Sequence, residues 1–342
     1  MTNFSTKSGA ARLSVISNAT LVVLKLVVGI ATGSVSVLSE AVHSTVDLAA
    51  AGIALFSVRM AERPADVEHP YGHGKVENVS AVIEALLIFG AAAYIVFEAY
   101  HRLFPGAGTK PRSVFEPDMP MAVMGFSAVA NWLISRHLMK VALDTDSPAI
   151  LADAHHLRVD VWTSVGVMLT MGLIWLTHAW VLDPIIALMV AGLICKVAWE
   201  LTREAGGSLL DESLPRGEQD RLRQVLDNDH RVIGYHRVRA RKAGGQRQID
   251  LHILLDPHLS LSAAHAQAEG LEDEIREAFP NTWVVTHMEP ATEAELVAHS
   301  NEPGMRKGPM PHPEATDVNP HKDRPVGETR PAAVSSAEGP IS

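Results

Sequence analysis

Long apolar runs separated by short polar breaks occupy the chain up to about residue 205, and the remainder is rich in charge, proline and histidine. A helix of about 20 mainly apolar residues is long enough to cross the hydrocarbon core of a bilayer. The first run follows Lys7 and Arg12 and continues to about Ile30, which is too long for a cleaved signal peptide. The pattern therefore predicts six membrane-spanning helices, at residues 12–33, 36–59, 78–103, 117–141, 149–178 and 182–205.

The pattern changes after Leu210, where shorter segments alternate or repeat at helical spacing. They predict a small α+β domain, with helices at 216–230 and 262–279 and strands at 234–241, 247–255 and 282–288. Proline, glycine, serine and charge dominate from about Glu302, so we expect a disordered tail. The predicted parts are an N-terminal cytoplasmic segment (1–11), a transmembrane domain (12–208), a cytoplasmic domain (209–292) and the tail (293–342).

Charge and cysteine content indicate the orientation of the chain in the membrane and limit its possible partners and metal ligands. Lysine and arginine concentrate in the links on one side of the predicted bundle, so the positive-inside rule places both termini in the cytoplasm. The formal net charge of −10 argues against a nucleic-acid binder, which is usually basic. The one cysteine, Cys195, rules out an intramolecular disulfide and a multi-cysteine metal site, so a bound metal would use histidine and carboxylate ligands.

Two His-x-x-x-Asp pairs lie inside apolar runs predicted to span the membrane: His43 with Asp47, and His156 with Asp160. Residues four apart share one face of a helix, so each pair can direct an imidazole nitrogen and a carboxylate oxygen to one point. Two such helices facing each other would complete the four ligands that Zn²⁺ prefers. Ionisable residues within a membrane are usually functional, so we predict a metal site rather than polar helix packing. His155 is an alternative ligand, but the residue four positions on is Val159, which offers no ligand atom.

Two further groups of potential ligands lie outside the predicted spans. The link between the second and third spans carries Asp66, His69 and His73, and its glycines would allow the loop to fold around a cation. A solvated turn with incidental histidines is the alternative. In the α+β domain the candidates are scattered over the strands and the helix between them: His236, His252, His265, His287 and Glu289. Neighbouring strands can bring such residues together, whereas each taken alone is an ordinary surface side chain.

These residues together resemble the cation diffusion facilitator family of divalent-metal/proton antiporters, of the bacterial zinc and iron efflux type. The resemblance extends to about Pro290 and rests on the six spans and on three segments in the expected order. The segments are residues 39–47 (SEAVHSTVD), 69–77 (HPYGHGKVE) and 156–160 (HLRVD). The resemblance implies a six-helix transmembrane bundle followed by a metallochaperone-like, ferredoxin-like α+β domain. It also implies a homodimer joined largely through that domain.

The resemblance further implies roles for individual residues. His43, Asp47, His156 and Asp160 would form the transport site, Asp66, His69 and His73 a loop site, and His236, His252, His287 and Glu289 a cytoplasmic metal site, with His265 bridging or supporting it. Lys75 and Asp211 match a salt bridge that ties the membrane domain of the dimer together near the cytoplasm. Two positions depart from the family pattern. Bacterial zinc and iron exporters commonly have Asp where His43 stands, and Asp is usual where Glu289 stands.

These features predict a secondary active transporter of the inner membrane, not an enzyme, that exchanges cytoplasmic metal for external protons. Zn²⁺ is the leading substrate and regulatory ligand, with Fe²⁺, Cd²⁺, Co²⁺ and Mn²⁺ as further candidates. The alternatives are a metal sensor without transport, an Fe²⁺- or Mn²⁺-selective efflux pump, and a channel without proton coupling. A metallohydrolase is disfavoured, because four protein ligands leave no position for water. The tail histidines, His299, His312 and His321, are interpreted as incidental.

Overall fold

The computed structural model describes residues 4–32, 35–104, 118–177 and 182–299, and six long helices make up most of the described chain up to residue 209. The helices are α1 (Lys7–Thr32), α2 (Val35–Ala61), α3 (Lys75–Leu103), α4 (Asp118–Thr145), α5 (Pro148–Thr177) and α6 (Leu182–Leu209). Each corresponds to one predicted span, so the predicted helical domain is confirmed. Several helices extend beyond their apolar run, because helical hydrogen bonding continues through the polar residues that flank it.

Four of these helices, α1, α2, α3 and α6, are long and apolar enough to cross a membrane by length and composition. The other two helices also carry charged residues, with Arg136 and Lys140 in α4 and Asp153, Arg158 and Asp160 in α5. Large apolar side chains are exposed on all six helices, which suits a surface that faces lipid rather than water. The chain therefore has a helical N-terminal transmembrane domain.

Small residues allow these helices to approach closely. Ala85 of α3 and Ala198 of α6 lie in one buried cluster together with Ile194. A Cβ added to Gly29 of α1 would lie 2.9 Å from the side chain and 3.2 Å from the backbone nitrogen of Leu38 in α2, so glycine eases this close approach of the two helices. Close backbone contact through small side chains is a common way to pack helices in a membrane.

The chain divides into two compact units. The first comprises Met1–Leu222, Arg239–Asp250 and Ile275–Val284, and the second comprises Arg223–Val238, Leu251–Glu274 and Val285–Ser342. After α6 the elements are α7 (Arg216–Asn228), β1 (Gly234–Ala243), β2 (Gln246–Leu255), α8 (Leu261–Ala278), β3 (Thr282–Pro290) and α9 (Glu293–Ala298). The elements α7 to β3 follow the predicted order and type.

The three strands form one sheet in the order β1-β2-β3. The N–H of Ile233 donates to the carbonyl of Leu254 at 2.9 Å, as expected for an antiparallel hairpin closed by the turn at Gly244. Arg247 pairs with Asn281 and Leu255 with Ala291, so β2 and β3 run parallel and α8 makes the crossover between them. This is the small α+β domain that the sequence predicts.

The end of the chain differs in part from the expectation. Residues 293–298, assigned to the disordered tail, form the short helix α9. The side chain of Thr292 caps this helix by accepting a hydrogen bond from the backbone N–H of Glu295 at 3.3 Å. Residues from 300 onwards, including His312 and His321, lie outside the described residues.

Candidate metal centres

The two His-x-x-x-Asp pairs meet between α2 and α5. His156 Nε2 lies 3.2 Å from Asp47 Oδ1, and His43 Nε2 lies 4.0 Å from one carboxylate oxygen of each of Asp47 and Asp160. Asp47, His156 and Asp160 are largely buried, whereas 54% of the His43 side chain is exposed. The helical spacing places each pair on one face, and the packing of α2 against α5 turns the two faces towards each other.

The spacing of these ligand atoms suits a small tetrahedral cation. Ligands at about 2.0 Å from a tetrahedral zinc ion lie roughly 3.3 Å from one another. The separations of 3.2 and 4.0 Å therefore need only small side-chain adjustments to enclose an ion. His43, Asp47 and Asp160 offer ligand atoms that all lie within 4.8 Å of one another, and His156 adds a nitrogen next to Asp47. His155, the alternative ligand, is not part of this group among the described residues.

Three buried ionisable side chains near this quartet were not singled out from the sequence. Lys25 of α1 donates to Ser44 Oγ at 2.7 Å, one residue from His43 along α2. Glu84 of α3 and Asp153 of α5 are almost completely buried, and each has at least one carboxylate oxygen with no hydrogen-bond partner in the described chain. The signal was available, since a charged residue inside a predicted span is a functional candidate by default. A single charged side chain changes the average apolar character of a long run very little, and the predicted spans depend on that average.

The loop between α2 and α3 brings its three predicted ligands together. Asp66 accepts hydrogen bonds from the backbone N–H groups of Glu68 and His69, at 3.0 and 2.6 Å. Its two oxygens lie 3.3 Å from His69 Nδ1 and 3.4 Å from His73 Nε2. The hydrogen bond from the His69 backbone is the main cause that lowers the pKa of Asp66, which keeps the carboxylate ionised as a metal ligand must be. Gly72 adopts φ of 80°, a conformation that lets the loop turn back on itself.

The cytoplasmic cluster forms around Glu289 at the end of β3. His236 Nε2 lies 2.8 Å from Glu289 Oε2, and His252 Nδ1 lies 2.7 Å from Oε1. His287 is more peripheral, with 64% of its side chain exposed and its Nε2 3.6 Å from Glu289 Oε1. Burial acts to raise the pKa of Glu289, but the hydrogen bonds from His252 and His236 outweigh it and lower that pKa. The longer side chain at this position therefore still reaches both strand histidines.

Within the chain, His265 lies apart from this cluster, and two residues that the sequence analysis did not assign to it lie beside Glu289. His265 is exposed on α8 and pairs with Glu269 at 3.5 Å, so among the described residues it contributes to no group of ligands around Glu289. Ala268, Leu271 and Ile275 form the buried face of α8, and His265 lies off that face. Glu295 and His299 instead offer ligand atoms within 4.8 Å of one another and of Glu289.

Comparison with known proteins identifies the family of this chain. Residues 11–210 match the cation efflux transmembrane domain, and residues 214–291 match the cytoplasmic domain of cation efflux proteins. The chain belongs to the cation efflux family. It is therefore a membrane-embedded transporter of that family rather than a classical enzyme.

Relatives of this cation efflux protein align along most of its length. An uncharacterised transporter of Synechocystis sp. is 35% identical over 280 residues, which cover 82% of this chain and 89% of the relative. The cation-efflux pump FieF of Pectobacterium atrosepticum is 32% identical over 274 residues, covering 80% and 89%. A solved structure of CzrB in its zinc form is 29% identical and covers 24% of this chain and 96% of its own, with a TM-score of 0.23.

The ion pair that the family resemblance implies is formed within this cation efflux chain. Lys75, at the start of α3, donates to Asp211 Oδ1 at 2.7 Å. Arg241 contacts the other oxygen of Asp211, also at 2.7 Å. The hydrogen bond from Lys75 is the main cause that lowers the pKa of Asp211. Asp211 itself has a positive φ of 61°, so the chain turns sharply after α6 at the residue that makes this contact.

Proposed function

We propose that this protein exports divalent metal cations, with Zn²⁺ as the leading substrate, in exchange for external protons. The observation that carries the proposal is the convergence of His43, Asp47, His156 and Asp160 between two helices of the transmembrane domain. Two imidazoles and two carboxylates suit Zn²⁺, and Fe²⁺, Co²⁺, Cd²⁺ and Mn²⁺ are further candidates. Relatives called cation-efflux pumps support the export of cations.

The ligand chemistry supplies the coupling to protons. A metal binds only neutral imidazole and ionised carboxylate, so cation binding releases protons and external protons compete for the same atoms. Imidazole changes its protonation between about pH 5 and 8, the range in which a cell maintains a proton gradient. In the proposed cycle the quartet binds metal while open to the cytoplasm. It then opens outward, exchanges metal for protons, and returns.

Glu84 and Asp153 are proposed to line the route from the cytoplasm to the quartet. The side chain of Ser147, just before α5, donates to Glu77 near the start of α3, so the two helices begin at a common level. Glu84 lies seven residues beyond Glu77, and Asp153 lies six beyond Ser147, which puts both carboxylates about 10 Å deeper. His156 follows one turn later. A cation would therefore meet carboxylate oxygens at each stage of the route.

The proposal also covers the oligomeric state, the location in the membrane and the two other metal centres. The protein would be a homodimer in the inner membrane, with both termini in the cytoplasm and with the domain boundaries given above. Six crossing helices place the termini on one side, as the distribution of lysine and arginine requires. The loop site of Asp66, His69 and His73 would gather metal at the cytoplasmic face. Metal at His236, His252, His287 and Glu289 would regulate activity by drawing cytoplasmic domains together.

Transport by purified protein in liposomes tests this function. Two adjacent histidines of α5 provide a test variant and its matched control. Zn²⁺ uptake is recorded with and without an imposed pH gradient for the parent, His156→Ala and His155→Ala. We expect gradient-driven uptake by the parent and by His155→Ala, and only the rate of empty liposomes with His156→Ala. Asp47→Ala and Asp160→Ala should behave like His156→Ala.

The same assay can also contradict the proposed function. Normal uptake by His156→Ala would show that the quartet is not the transport site. Downhill metal flux that ignores the pH gradient would indicate a channel. Parallel runs with Fe²⁺, Mn²⁺ and Cd²⁺ rank the substrates, and a complete lack of uptake of every metal would support the sensor without transport.

A further inference from the structure

The hairpin turn between β1 and β2, formed by Gly244 and Gly245, packs against the end of the transmembrane domain that is proposed to face the cytoplasm. The buried backbone N–H of Gly244 donates to Asn78 Oδ1, near the start of α3, at 2.8 Å. A Cβ added to Gly245 would lie 2.6 Å from Lys7 Nζ and 2.7 Å from the carbonyl oxygen of Thr145. The turn therefore contacts α1, α3 and the end of α4, with no room for a side chain.

Charged contacts hold the strands on both sides of this turn. Arg247 of β2 donates to Asp146 Oδ2 at 2.8 Å, and Lys242 Nζ of β1 lies 3.5 Å from Asp146 Oδ1. Asp146 lies in the link between α4 and α5, whereas Asn78 belongs to α3. The hairpin thus bridges α3 and the start of α5, the two helices between which the cation route is proposed.

The turn lies over the first polar group of that route. Lys7, the neighbour of Gly245, donates to Glu77 Oε1 at 3.1 Å, and Ser147 donates to the other oxygen of Glu77. Asn78, which accepts from the turn, is the next residue along α3. Only 2% of the Glu77 side chain is exposed, although Glu77 lies in the first turn of its helix. The carboxylate at the entrance is therefore covered.

The deeper polar groups of the route are enclosed as well. Glu77, Ser80 and Glu84 follow one another at intervals of three and four residues, so they share one face of α3. Ser80 and Glu84 are buried, and neither Ser80 Oγ nor either carboxylate oxygen of Glu84 has a hydrogen-bond partner in the described chain. These atoms are free to contact a cation, but a cation can reach them from the cytoplasm only if the cover moves.

We propose that the hairpin turn is the movable cover of the cytoplasmic entrance, and that a cation enters when the turn leaves Asn78. The proposal rests on the proposed route past Glu84 and Asp153 and adds the element that opens it. One hydrogen bond holds the tip of the turn to α3, whereas each surrounding helix is held by about one backbone hydrogen bond per residue. Asn281, just before β3, donates to the carbonyl of Gly245 at 2.7 Å, so the turn can move together with the sheet without refolding.

A cysteine at position 80 reports whether the entrance is open. The reporter protein is the full chain with Ser80→Cys and with Cys195, the one native cysteine, replaced by serine. It is purified in detergent, so that the result depends neither on orientation in a membrane nor on transport. Its reaction with a charged, water-soluble thiol reagent is followed by mass spectrometry, alone and with added Asn78→Leu, which removes the acceptor but keeps a similar shape. Asn131→Leu, at a buried asparagine of α4, is the matched control.

We expect slow modification of the reporter protein, roughly tenfold faster modification with Asn78→Leu, as for the loss of one buried hydrogen bond, and no change with Asn131→Leu. Asp146→Asn should also speed the reaction, because it weakens the hold on Arg247 and Lys242. Both cations keep their contacts with Glu218, at 2.7 and 2.8 Å, so Asp146→Asn is expected to fold even where Asn78→Leu does not.

Equal rates with and without Asn78→Leu, whether slow or fast, would overturn the proposal. A second reporter, Ser127→Cys at a buried position of α4, separates opening of the entrance from loosening of the whole bundle. Its rate should not change with Asn78→Leu, and a matching increase there would also overturn the proposal. Failure of the liposome assay would leave these rates unaffected, so the cover and the proposed function are tested separately.

Discussion

Replacing Arg247 by Met should destabilise the protein more than replacing Lys75 by Met, although only Lys75 has a role implied by the family. Arg247 lies on β2 with 11% of its side chain exposed. It donates through Nε to Glu218 at 2.7 Å and through Nη2 to Asp146 at 2.8 Å. Lys75 donates to Asp211 at 2.7 Å, but these two side chains are 40% and 44% exposed.

The structure gives the size of each effect. Hydrogen bonds to charged groups contribute about 1.5–3 kcal/mol each, so two of them set an upper range of roughly 3–6 kcal/mol. Lys242 also contacts both carboxylates, at 3.5 and 2.8 Å, so neither is left without a cation in Arg247→Met. We therefore expect a net loss of about 2–3 kcal/mol. An exposed pair contributes about 0–1 kcal/mol, and Asp211 keeps Arg241, so Lys75→Met should cost less than about 1 kcal/mol.

Thermal unfolding in one detergent, at fixed pH, zinc concentration and scan rate, checks the comparison. A change of 1 kcal/mol shifts the midpoint by roughly 2–4 °C for chains somewhat shorter than this one. Arg247→Met should therefore lower the midpoint by about 4–12 °C, and Lys75→Met by no more than about 4 °C. Equal shifts, or a larger shift for Lys75→Met, would refute the reasoning. Such a result would mean that the solvent exposure of the Lys75–Asp211 pair does not indicate how much the pair contributes to the stability of the folded protein.

Three further predictions follow from the same contacts. Glu84→Gln keeps the side-chain shape but removes a charge from the proposed route, so we expect slower Zn²⁺ uptake by liposomes at unchanged protein folding; an unchanged rate would contradict the route. Gly244→Ala places a Cβ against a backbone carbonyl at a φ of 61°, so it should lower the unfolding midpoint, whereas Gly217→Ala, which meets only open space, should not. Burial acts to raise the pKa of Glu218, but its hydrogen-bonded cations outweigh burial and lower it. Its contribution to stability should be present above its ordinary pKa of 4.5 and lost as the pH falls through the lowered value, which a pH series of unfolding midpoints would reveal.

The helices of the transmembrane domain could be predicted because their signal is local and strong. An apolar run long enough to span a bilayer has few alternatives to a helix, since every backbone polar group must be paired within it. The quartet could be predicted for a related reason. Each His-x-x-x-Asp pair lies on one helix, and only the meeting of two faces had to be inferred.

The cytoplasmic cluster was predicted less completely because its members depend on tertiary contacts. His236 and Glu289 lie far apart in sequence and meet only through the sheet. The helix α9 has too few residues for a periodic signal, although Thr292 and Glu295 have the spacing of a capping box and could have indicated it. The orientation of a residue on α8 cannot be read from its identity, so the sequence did not show that His265 is exposed and contacts Glu269 within the chain.

Lys25 places a cationic side chain close to the quartet, which bears on both the binding and the release of a metal ion there. Asp47 and Asp160 bring two carboxylates into a low-dielectric region, where repulsion between them is strong unless a cation is near. Lys25 donates to Ser44 Oγ at 2.7 Å, next to His43 along α2. At the proposed transport site, a positive charge at this position would offset the repulsion between the carboxylates and would oppose a metal cation. A transporter must release its cargo in every cycle, so a resident cation that limits the affinity suits a transport site better than a storage site.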